Sequence, residues 1–192
     1  MKKFTVVAIT LIASLVSNAQ ISVNVLYSTK SVRTTEPPGF GSNTKLYTSH
    51  HFLITEVKGG KKLVVGAGIG QALNTQAVGK KYTVIDWTSY PQDVYEKVTG
   101  PTTSLYLILG YRIIKQILTV NFNFGTMLNE TYYNAKDSYR ILSPDGYYYT
   151  SQSAKSTSLT GVTIEAMLSK NVSLDGGFDN AQGFKIGLGY RF

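Results

Sequence analysis

The last nine residues of the chain, Phe184 to Phe192, alternate between two kinds of side chain. Every second residue is apolar and the series ends in aromatics: Phe184, Ile186, Leu188, Tyr190 and Phe192. The intervening positions hold glycine, lysine or arginine. A period of two predicts a β-strand, because successive side chains of a strand point to opposite faces. One apolar face and one small or cationic face fit a soluble sandwich, and they also fit a barrel with lipid outside and a polar interior.

The amino terminus has the pattern of a secretory signal peptide. Two lysines precede a mostly apolar stretch that runs to Val16, and Ser17-Asn18-Ala19 provides the small residues of a cleavage site. We therefore expect residues 1–19 to be removed and residues 20–192 to form one domain. The chain has no cysteine, which excludes a disulfide framework and a lipid-modified amino terminus.

Composition limits how the chain could interact with a membrane or a nucleic acid. The formal net charge is +8, but the lysines are scattered rather than gathered in runs, so we expect no nucleic-acid partner. After residue 19 no apolar run reaches the roughly 18 residues of a transmembrane helix. The best candidate, Leu105 to Ile114, is interrupted by Gly110 and Arg112. A chain of this kind would enter a membrane as strands.

Seven further segments show the two-residue alternation, at 21–28, 46–57, 62–73, 102–113, 117–128, 157–168 and 172–178. The segment 117–128 is the clearest, with Leu118, Val120, Phe122 and Phe124 on the face that we assign to the outside. The segment 62–73 places Gly66, Gly68 and Gly70 on the inner face. Such glycines weaken a packed soluble sheet, but in a narrow barrel they leave room for large side chains from the opposite wall.

The segment 46–57 has the weakest pattern of the eight. We assign His50, Phe52 and Ile54 to its outer face and Ser49, His51 and Thr55 to its inner face, which leaves Leu53 inside. Adjacent histidines in a strand point to opposite faces, so they cannot share one metal ion or one catalytic site.

The connections alternate in length along the chain. Short ones at 58–61, 114–116 and 169–171 separate long ones at 29–45, 74–101 and 129–156, and only the short connection at 179–183 departs from this order. Eight strands with short turns at one end and long loops at the other are typical of outer-membrane barrels. Residues 82–87 have strand character, which we interpret as a strand extension or a small hairpin beyond the membrane.

With this organisation, and with an alternating last strand that closes on Phe192, the chain resembles the small eight-stranded OmpA/OmpX-type barrels of bacterial outer membranes. The resemblance implies an all-β, antiparallel up-and-down transmembrane barrel in the bacterial outer membrane, with periplasmic termini. It implies contact with outer-membrane lipid and lipopolysaccharide, and an assembly machinery that reads Tyr190 and Phe192 as a C-terminal signal. A secreted β-sandwich or a lipocalin-like barrel is the alternative fold.

The predicted inner faces carry five charged residues, which are Arg112, Glu165, Asp175, Lys185 and Arg191. Eight strands leave an interior just wide enough for side chains, and buried charges need partners. We therefore predict an ion-pair network that fills the lumen, in which Arg112 and Glu165 could meet across it. A polar pore or a proton path is the alternative interpretation.

The segment 129–156 holds six tyrosines, Tyr132, Tyr133, Tyr139, Tyr147, Tyr148 and Tyr149. Tyrosine is favoured in recognition surfaces because it offers a large amphipathic contact at low entropic cost. The same residues would equally fit an interfacial aromatic girdle, and Tyr147-Tyr148-Tyr149 would fit the start of a descending strand.

No catalytic set, calcium-loop spacing or dinucleotide fingerprint can be found in the sequence. We therefore predict no cofactor, no metal site and a non-enzymatic protein with a structural role or with an unidentified extracellular ligand bound through its loops. A narrow conduit for small or apolar solutes is the first alternative. The second is a lipid-modifying enzyme that uses His51 with a serine such as Ser49.

Overall fold

The computed structural model describes residues 20–35, 45–73, 77, 79–82, 94–114 and 117–192, and within these ranges it places the side chains except at 31–35, 45–49, 94–99 and 151–153. The segment 1–19, for which a signal peptide is predicted, lies outside the described residues. None of the described residues belongs to a helix long and apolar enough to cross a membrane.

The described chain contains ten strands. They are β1 (Ile21–Thr35), β2 (Lys45–Gly59), β3 (Leu63–Ala72), β4 (Lys80–Tyr82), β5 (Val94–Thr99), β6 (Thr102–Ile114), β7 (Leu118–Lys136), β8 (Tyr147–Met167), β9 (Val172–Asp179) and β10 (Gly183–Arg191). Eight of them close a barrel in the order β1, β2, β3, β6, β7, β8, β9, β10, and β10 pairs back with β1. Every neighbouring pair in this barrel is antiparallel.

Ser22 of β1 lies opposite Arg191 of β10, so both ends of the described chain meet at one end of the barrel. We call this the terminal end and the opposite one the loop end. The eight-stranded antiparallel up-and-down barrel expected from the sequence is confirmed, and an open sandwich is excluded.

The outer surface of the barrel is apolar and the interior is mostly polar. Leu107, Phe122 and Ile186 are about half exposed or more, whereas Asn121 and Asn123 on the opposite face of β7 are fully buried. A lipocalin-like barrel would show the reverse arrangement. Soluble proteins rarely leave an apolar surface of this extent in water, and a closed barrel leaves no backbone edge unpaired in lipid. The chain therefore forms a transmembrane barrel of the outer-membrane type.

The faces predicted for the segment 46–57 are wrong. His50, Phe52 and Ile54 are buried in the interior, whereas Leu53 and Val57 are half exposed on the outer surface. Apolar residues stand on both faces of β2, because part of the barrel interior is itself apolar. The period of two therefore identified the strand but not which of its faces meets lipid.

Two of the predicted long loops are shorter than expected because the strands continue into them. β1 runs on to Thr35, and the segment 129–156 is largely β-structure, since β7 continues to Lys136 and β8 begins at Tyr147. Lys136 and Tyr147 pair directly. Outside a membrane a strand needs backbone partners but no apolar outer face, so these extensions lack the lipid-facing pattern by which the barrel strands were predicted.

The extended parts of β7 and β8 carry two short strands on their edges. β4 pairs in parallel with β8, and β5 pairs antiparallel with β7. The result is a four-stranded sheet beyond the barrel in the order β4, β8, β7, β5, which we call the protruding sheet. Strand character is predicted at 82–87, and of these residues the structure describes only Tyr82, which is the last residue of β4. Residues 83–93 lie outside the described part of the chain.

Glycines on the inner face of the barrel make room for one large side chain. Tyr106 of β6 lies between Gly68 of β3 and Gly125 of β7, and a Cβ at either glycine would overlap with the tyrosine. Here the ring comes from a neighbouring strand, not from the opposite wall as predicted. Gly70 does receive a group from across the barrel, because its missing Cβ leaves space for the Gln182 amide.

Candidate functional site

A buried lysine lies at the centre of the charged network in the lumen. Lys58 Nζ lies 2.9 Å from Asp175 Oδ1, 2.9 Å from Glu165 Oε2 and 3.4 Å from Glu56 Oε2. All four side chains are nearly or fully buried. The lysine extends from β2 to carboxylates on β8 and β9, so one cation connects opposite sides of the barrel.

Each of the three carboxylates also accepts a hydrogen bond from another group. The Tyr106 hydroxyl donates to Glu56 Oε1 at 2.7 Å, and Arg191 Nη2 donates to Glu165 Oε1 at 2.8 Å. Asp175 Oδ2 accepts from Asn24 Nδ2 at 2.6 Å and from the Ser173 hydroxyl at 3.0 Å. A carboxylate held by several donors in a closed interior is suited to cross-linking the walls of the barrel.

The five charged residues predicted for the lumen belong to three separate groups of contacts. Glu165, Asp175 and Arg191 belong to the network around Lys58. Lys185 pairs with Asp179 at 2.7 Å, and its Nζ lies 4.5 Å from the centre of the Tyr106 ring. Arg112 is only half-buried and donates to Gln20 Oε1 at 3.1 Å. Glu165 therefore meets Lys58 and Arg191 rather than Arg112.

Sequence reasoning missed Glu56 and Lys58, the two members of the network on β2. Lys58 stands next to Gly59-Gly60, which predicts a turn, and the inverted assignment of β2 placed Glu56 on the outside. The available signal was the alternation itself, because Ile54, Glu56 and Lys58 share one face. Two charged residues on a face that also carries Phe52 would have been costly in lipid.

An apolar cluster closes the interior toward the loop end. Phe52, Ala72, Leu159 and Ala181 are buried there, and they pack in one cluster with Leu26, Ile54, Tyr106 and Ile108. The cluster combines residues from several walls of the barrel. This cluster separates the charged network around Lys58 from the loop end within the part of the interior that the structure describes.

The short connection between β9 and β10 folds into the mouth of the barrel. Ala181 joins the apolar cluster, and Gln182 Nε2 donates to the Ser104 hydroxyl of β6 at 2.7 Å. β6 is the fourth strand from β10 around the barrel, so this bond crosses the lumen. Asp179 Oδ1 accepts the N–H groups of Ala181 and Gln182, which holds the turn in its inward position.

Three of the six predicted tyrosines share one face of the protruding sheet. Tyr132 and Tyr149 have ring centroids 5.2 Å apart, and Tyr147 lies two residues along the same strand. Lys81 pairs with Tyr149 and Lys136 pairs with Tyr147, and paired residues project from the same side of a sheet. We call this group of five residues the tyrosine face. Its tyrosines are half-buried and its lysines are exposed.

The other three tyrosines have different surroundings. Tyr133 and Tyr148 are buried on the opposite face of the protruding sheet, where the ring of Tyr82 packs edge-on against Tyr148 with centroids 5.9 Å apart. Tyr139 is exposed in the turn that joins β7 to β8. The six residues therefore do not form a single surface.

The turn between β7 and β8 is organised by one carboxylate. Asp137 is buried, and it accepts the N–H groups of Ile141, Leu142 and Ser143 at 3.1, 2.6 and 2.8 Å. Burial alone raises the pKa of Asp137, but these backbone donors outweigh burial and hold the pKa below its usual range. The turn at the tip of the protruding sheet is thus held in one conformation.

The two histidines point to opposite faces, as expected. Each, however, points to the face opposite to the one predicted for it. His50 points inward and stacks on Phe52, with ring centroids 6.2 Å apart. His51 points outward, stacks on Tyr27 and shares a hydrogen bond with the Tyr27 hydroxyl. The described residues contain no group of three or more His, Cys, Asp or Glu that could hold a metal ion.

The fold is similar to that of solved outer-membrane barrels. The attachment invasion locus protein Ail of Yersinia pestis, crystallised in complex with the heparin analogue sucrose octasulfate, superposes with a TM-score of 0.53 at 14% identity, over 91% of this chain and 97% of Ail. A second crystal structure of Ail gives a TM-score of 0.52 at 11% identity over the same shares of the two chains. A major outer membrane protein from Thermus thermophilus gives 0.51 at 16% identity, over 91% of this chain and 100% of that protein.

No model of a known protein family matches the chain, and no curated protein matches it in sequence. At these identities the structural similarity establishes the fold alone.

Proposed function

We propose that the protein is a non-conducting barrel of the bacterial outer membrane that contacts an anionic partner outside the cell through the tyrosine face. The membrane placement is supported by the apolar outer surface and by the shared fold. The observation that carries the contact role is the tyrosine face itself, which combines half-buried aromatic rings with exposed lysines on the strand extensions beyond the barrel. Tyr132 and Tyr149 offer ring surface for sugar rings, and Lys81 and Lys136 offer charge for sulfate, phosphate or carboxylate groups.

The partner class that fits this chemistry is an acidic polysaccharide. Aromatic side chains pack against the apolar faces of sugar rings, while lysines supply salt-sensitive attraction. That Ail was crystallised with a sulfated sugar is in keeping with this class of partner for a barrel of the same fold.

Reversing the charge of the tyrosine face tests this proposal. We expect Lys81→Glu with Lys136→Glu to weaken binding to immobilised heparin, used as the probe, by at least tenfold, because two attractive contacts become repulsive. The measurement is surface plasmon resonance of the detergent-solubilised barrel at about 50 and 300 mM salt, and the binding of the unaltered protein should fall at the higher concentration.

The matched control carries the same charge change at the terminal end, as Lys62→Glu with Lys170→Glu. Both lysines are exposed in turns far from the protruding sheet. If the two double variants lose binding equally, net charge and not the tyrosine face is responsible. If neither the unaltered barrel nor the variants bind heparin, the acidic-polysaccharide partner is rejected.

The non-conducting part of the proposal is tested in a planar bilayer. The ion network and the apolar cluster fill the interior, so we expect the reconstituted barrel to show no steady single-channel conductance in about 1 M KCl. A stable conductance would reject this part and favour the narrow conduit. A large barrel-forming porin inserted in the same bilayers serves as the positive control.

The remaining sequence hypotheses have less support in the geometry. A lipid-modifying enzyme using His51 would have to act from the outer surface, where the imidazole is engaged by Tyr27. Unchanged lipid A in cells with and without the protein would reject it. Tyr190 and Phe192 are exposed on the outer surface with ring centroids 5.0 Å apart, which leaves them accessible for the proposed role as a C-terminal assembly signal.

A further inference from the structure

One strand of the barrel has a gap in its apolar outer face. Along β9 the residues Leu174 and Phe178 project outward, and between them Gly176 contributes no side chain. Gly176 pairs with Ile164 of β8 and with Ile186 of β10, which stand on either side of the gap. The result is a groove of about 550 Å³ on the outer wall. Its side-chain walls are Ile164, Ala166, Leu174, Phe178, Phe184 and Ile186.

Steric crowding does not explain the glycine at this position. A Cβ at Gly68 would overlap with the Tyr106 ring, and one at Gly70 would overlap with the Gln182 amide, so crowding favours glycine at both positions. A Cβ at Gly176 would meet only the carbonyl oxygen of Lys185, at 4.0 Å. Glycine weakens a strand interior, and it often marks a bulge, a bend at a barrel corner or a place where a ligand or another backbone approaches closely. β9 pairs without a register shift with both of its neighbours at Gly176, so a bulge does not explain the glycine.

The depth of the groove in the membrane indicates which molecule reaches it. Gly176 lies three positions before Asp179 at the loop end of β9, which is about 10 Å along the strand. The apolar band of such barrels is about 25 Å tall. With the termini periplasmic, as the resemblance implies, the loop end faces outward and the groove lies in the half of the hydrocarbon layer that belongs to the outer leaflet.

The size of the groove favours a lipid chain over a second copy of the protein. It spans three adjacent strands, which is about 10 Å across. A stable protein interface needs about 800 Å² from each partner, several times more than a groove of this width presents. Phe178 and Phe184 close the side of the groove that lies nearer the loop end. Their ring centroids are 5.1 Å apart in an edge-on arrangement.

We propose that this groove binds an acyl chain of an outer-leaflet lipid, seated over Gly176 between Ile164 and Ile186. The chain fills the space that a side chain would otherwise occupy, so the outer wall becomes smooth only when the lipid is present. This inference rests on the proposed membrane placement and is independent of the tyrosine face.

Photochemical labelling tests the site directly. The purified barrel is reconstituted into phosphatidylethanolamine vesicles that contain a trace of phosphatidylethanolamine with a diazirine midway along one acyl chain. After illumination, labelled residues are identified by mass spectrometry. We expect labelling of Ile164, Phe184 and Ile186 to exceed that of Ala67 and Ile69 on β3, the opposite wall, by at least threefold. Unlabelled lipid A should compete for the groove and not for β3.

A side chain that fills the groove should abolish the preferential labelling of its walls. Gly176→Leu places an apolar side chain in the space, and we expect labelling of Ile164 and Ile186 to fall to the level of β3. Ala67→Leu adds similar bulk on the opposite wall and should leave the groove labelled. Heat-modifiable migration on a gel shows whether each variant is folded, and if Gly176→Leu fails to fold, the lipid A competition on the unaltered barrel decides.

Two results would overturn the proposal. One is labelling spread evenly around an inserted barrel. The other is disulfide formation between two copies of an Ile186→Cys variant in the same vesicles, which would assign the groove to a second copy, since the unaltered chain has no cysteine. A barrel that shows no lipid labelling on any strand would instead contradict the membrane placement, so the two failures are distinguishable.

Discussion

Lys58→Met is expected to prevent assembly of the barrel or to destabilise it by about 3–5 kcal/mol, because the substitution leaves three buried carboxylates without their shared cation. Glu56, Glu165 and Asp175 all lie within 3.4 Å of Lys58 Nζ. Arg191 still pairs with Glu165, but Glu56 and Asp175 would keep only neutral donors. A loss of this size is a large fraction of the roughly 5–15 kcal/mol that typically separates folded from unfolded proteins.

The measurement is a urea titration of the barrel in detergent micelles, read by the fraction that migrates as the folded form on an unheated gel. Lys62→Met, four residues further on in an exposed position, is the control and should change stability by less than about 0.5 kcal/mol. The combination Lys58→Met, Glu56→Gln and Asp175→Asn removes the unpaired charges and should recover much of the loss. If the single variant is as stable as the Lys62 control, the network does not hold the walls together.

Tyr106→Ala should cost about 3–5 kcal/mol, because it removes a large buried side chain from a space that its rigid neighbours cannot refill. The ring is packed between Gly68 and Gly125, its hydroxyl donates to Glu56, and Lys185 lies over its face. Tyr106→Phe keeps the ring and removes only the hydrogen bond, so we expect a smaller loss of about 1–3 kcal/mol. Tyr111→Ala, on the outer face of the same strand, is the control.

A double-mutant cycle tests whether Gly68 makes room for the Tyr106 ring. Gly68→Ala should destabilise the unaltered barrel, since the new Cβ overlaps with the Tyr106 ring, and it should be tolerated when residue 106 is alanine. The interaction free energy is measured from urea titrations of the four proteins. Additive losses would mean that the glycine does not make room for the tyrosine.

The strands of this barrel were predictable where one face meets lipid and the other meets polar groups. In β7 the outward Phe122 and Phe124 alternate with the buried Asn121 and Asn123, and the structure confirms both faces. The same rule failed at β2, because Phe52 and Ile54 fill an apolar layer inside the barrel. A period of two shows that successive side chains point to opposite faces. Where both faces are apolar, it does not show which of them meets lipid.

The strand extensions beyond the membrane were not predicted from the sequence, for a related reason. The outer parts of β7 and β8 are held by backbone hydrogen bonds to each other and to the short strands β4 and β5. These bonds place no demand on side-chain polarity. The segment 129–156 therefore had the composition of a loop although most of it is sheet.

By itself, the sequence determined the barrel architecture and the lipid-facing side of most strands, because lipid imposes a local two-residue pattern that each segment must satisfy on its own. It also placed Glu165, Asp175 and Arg191 on inner faces. Only the tertiary structure decided which charges meet, because the partners of Lys58 are more than a hundred residues away for Glu165 and Asp175 and reach it only once the barrel has closed. The groove at Gly176 likewise exists only after β8, β9 and β10 are paired, since its walls come from all three strands.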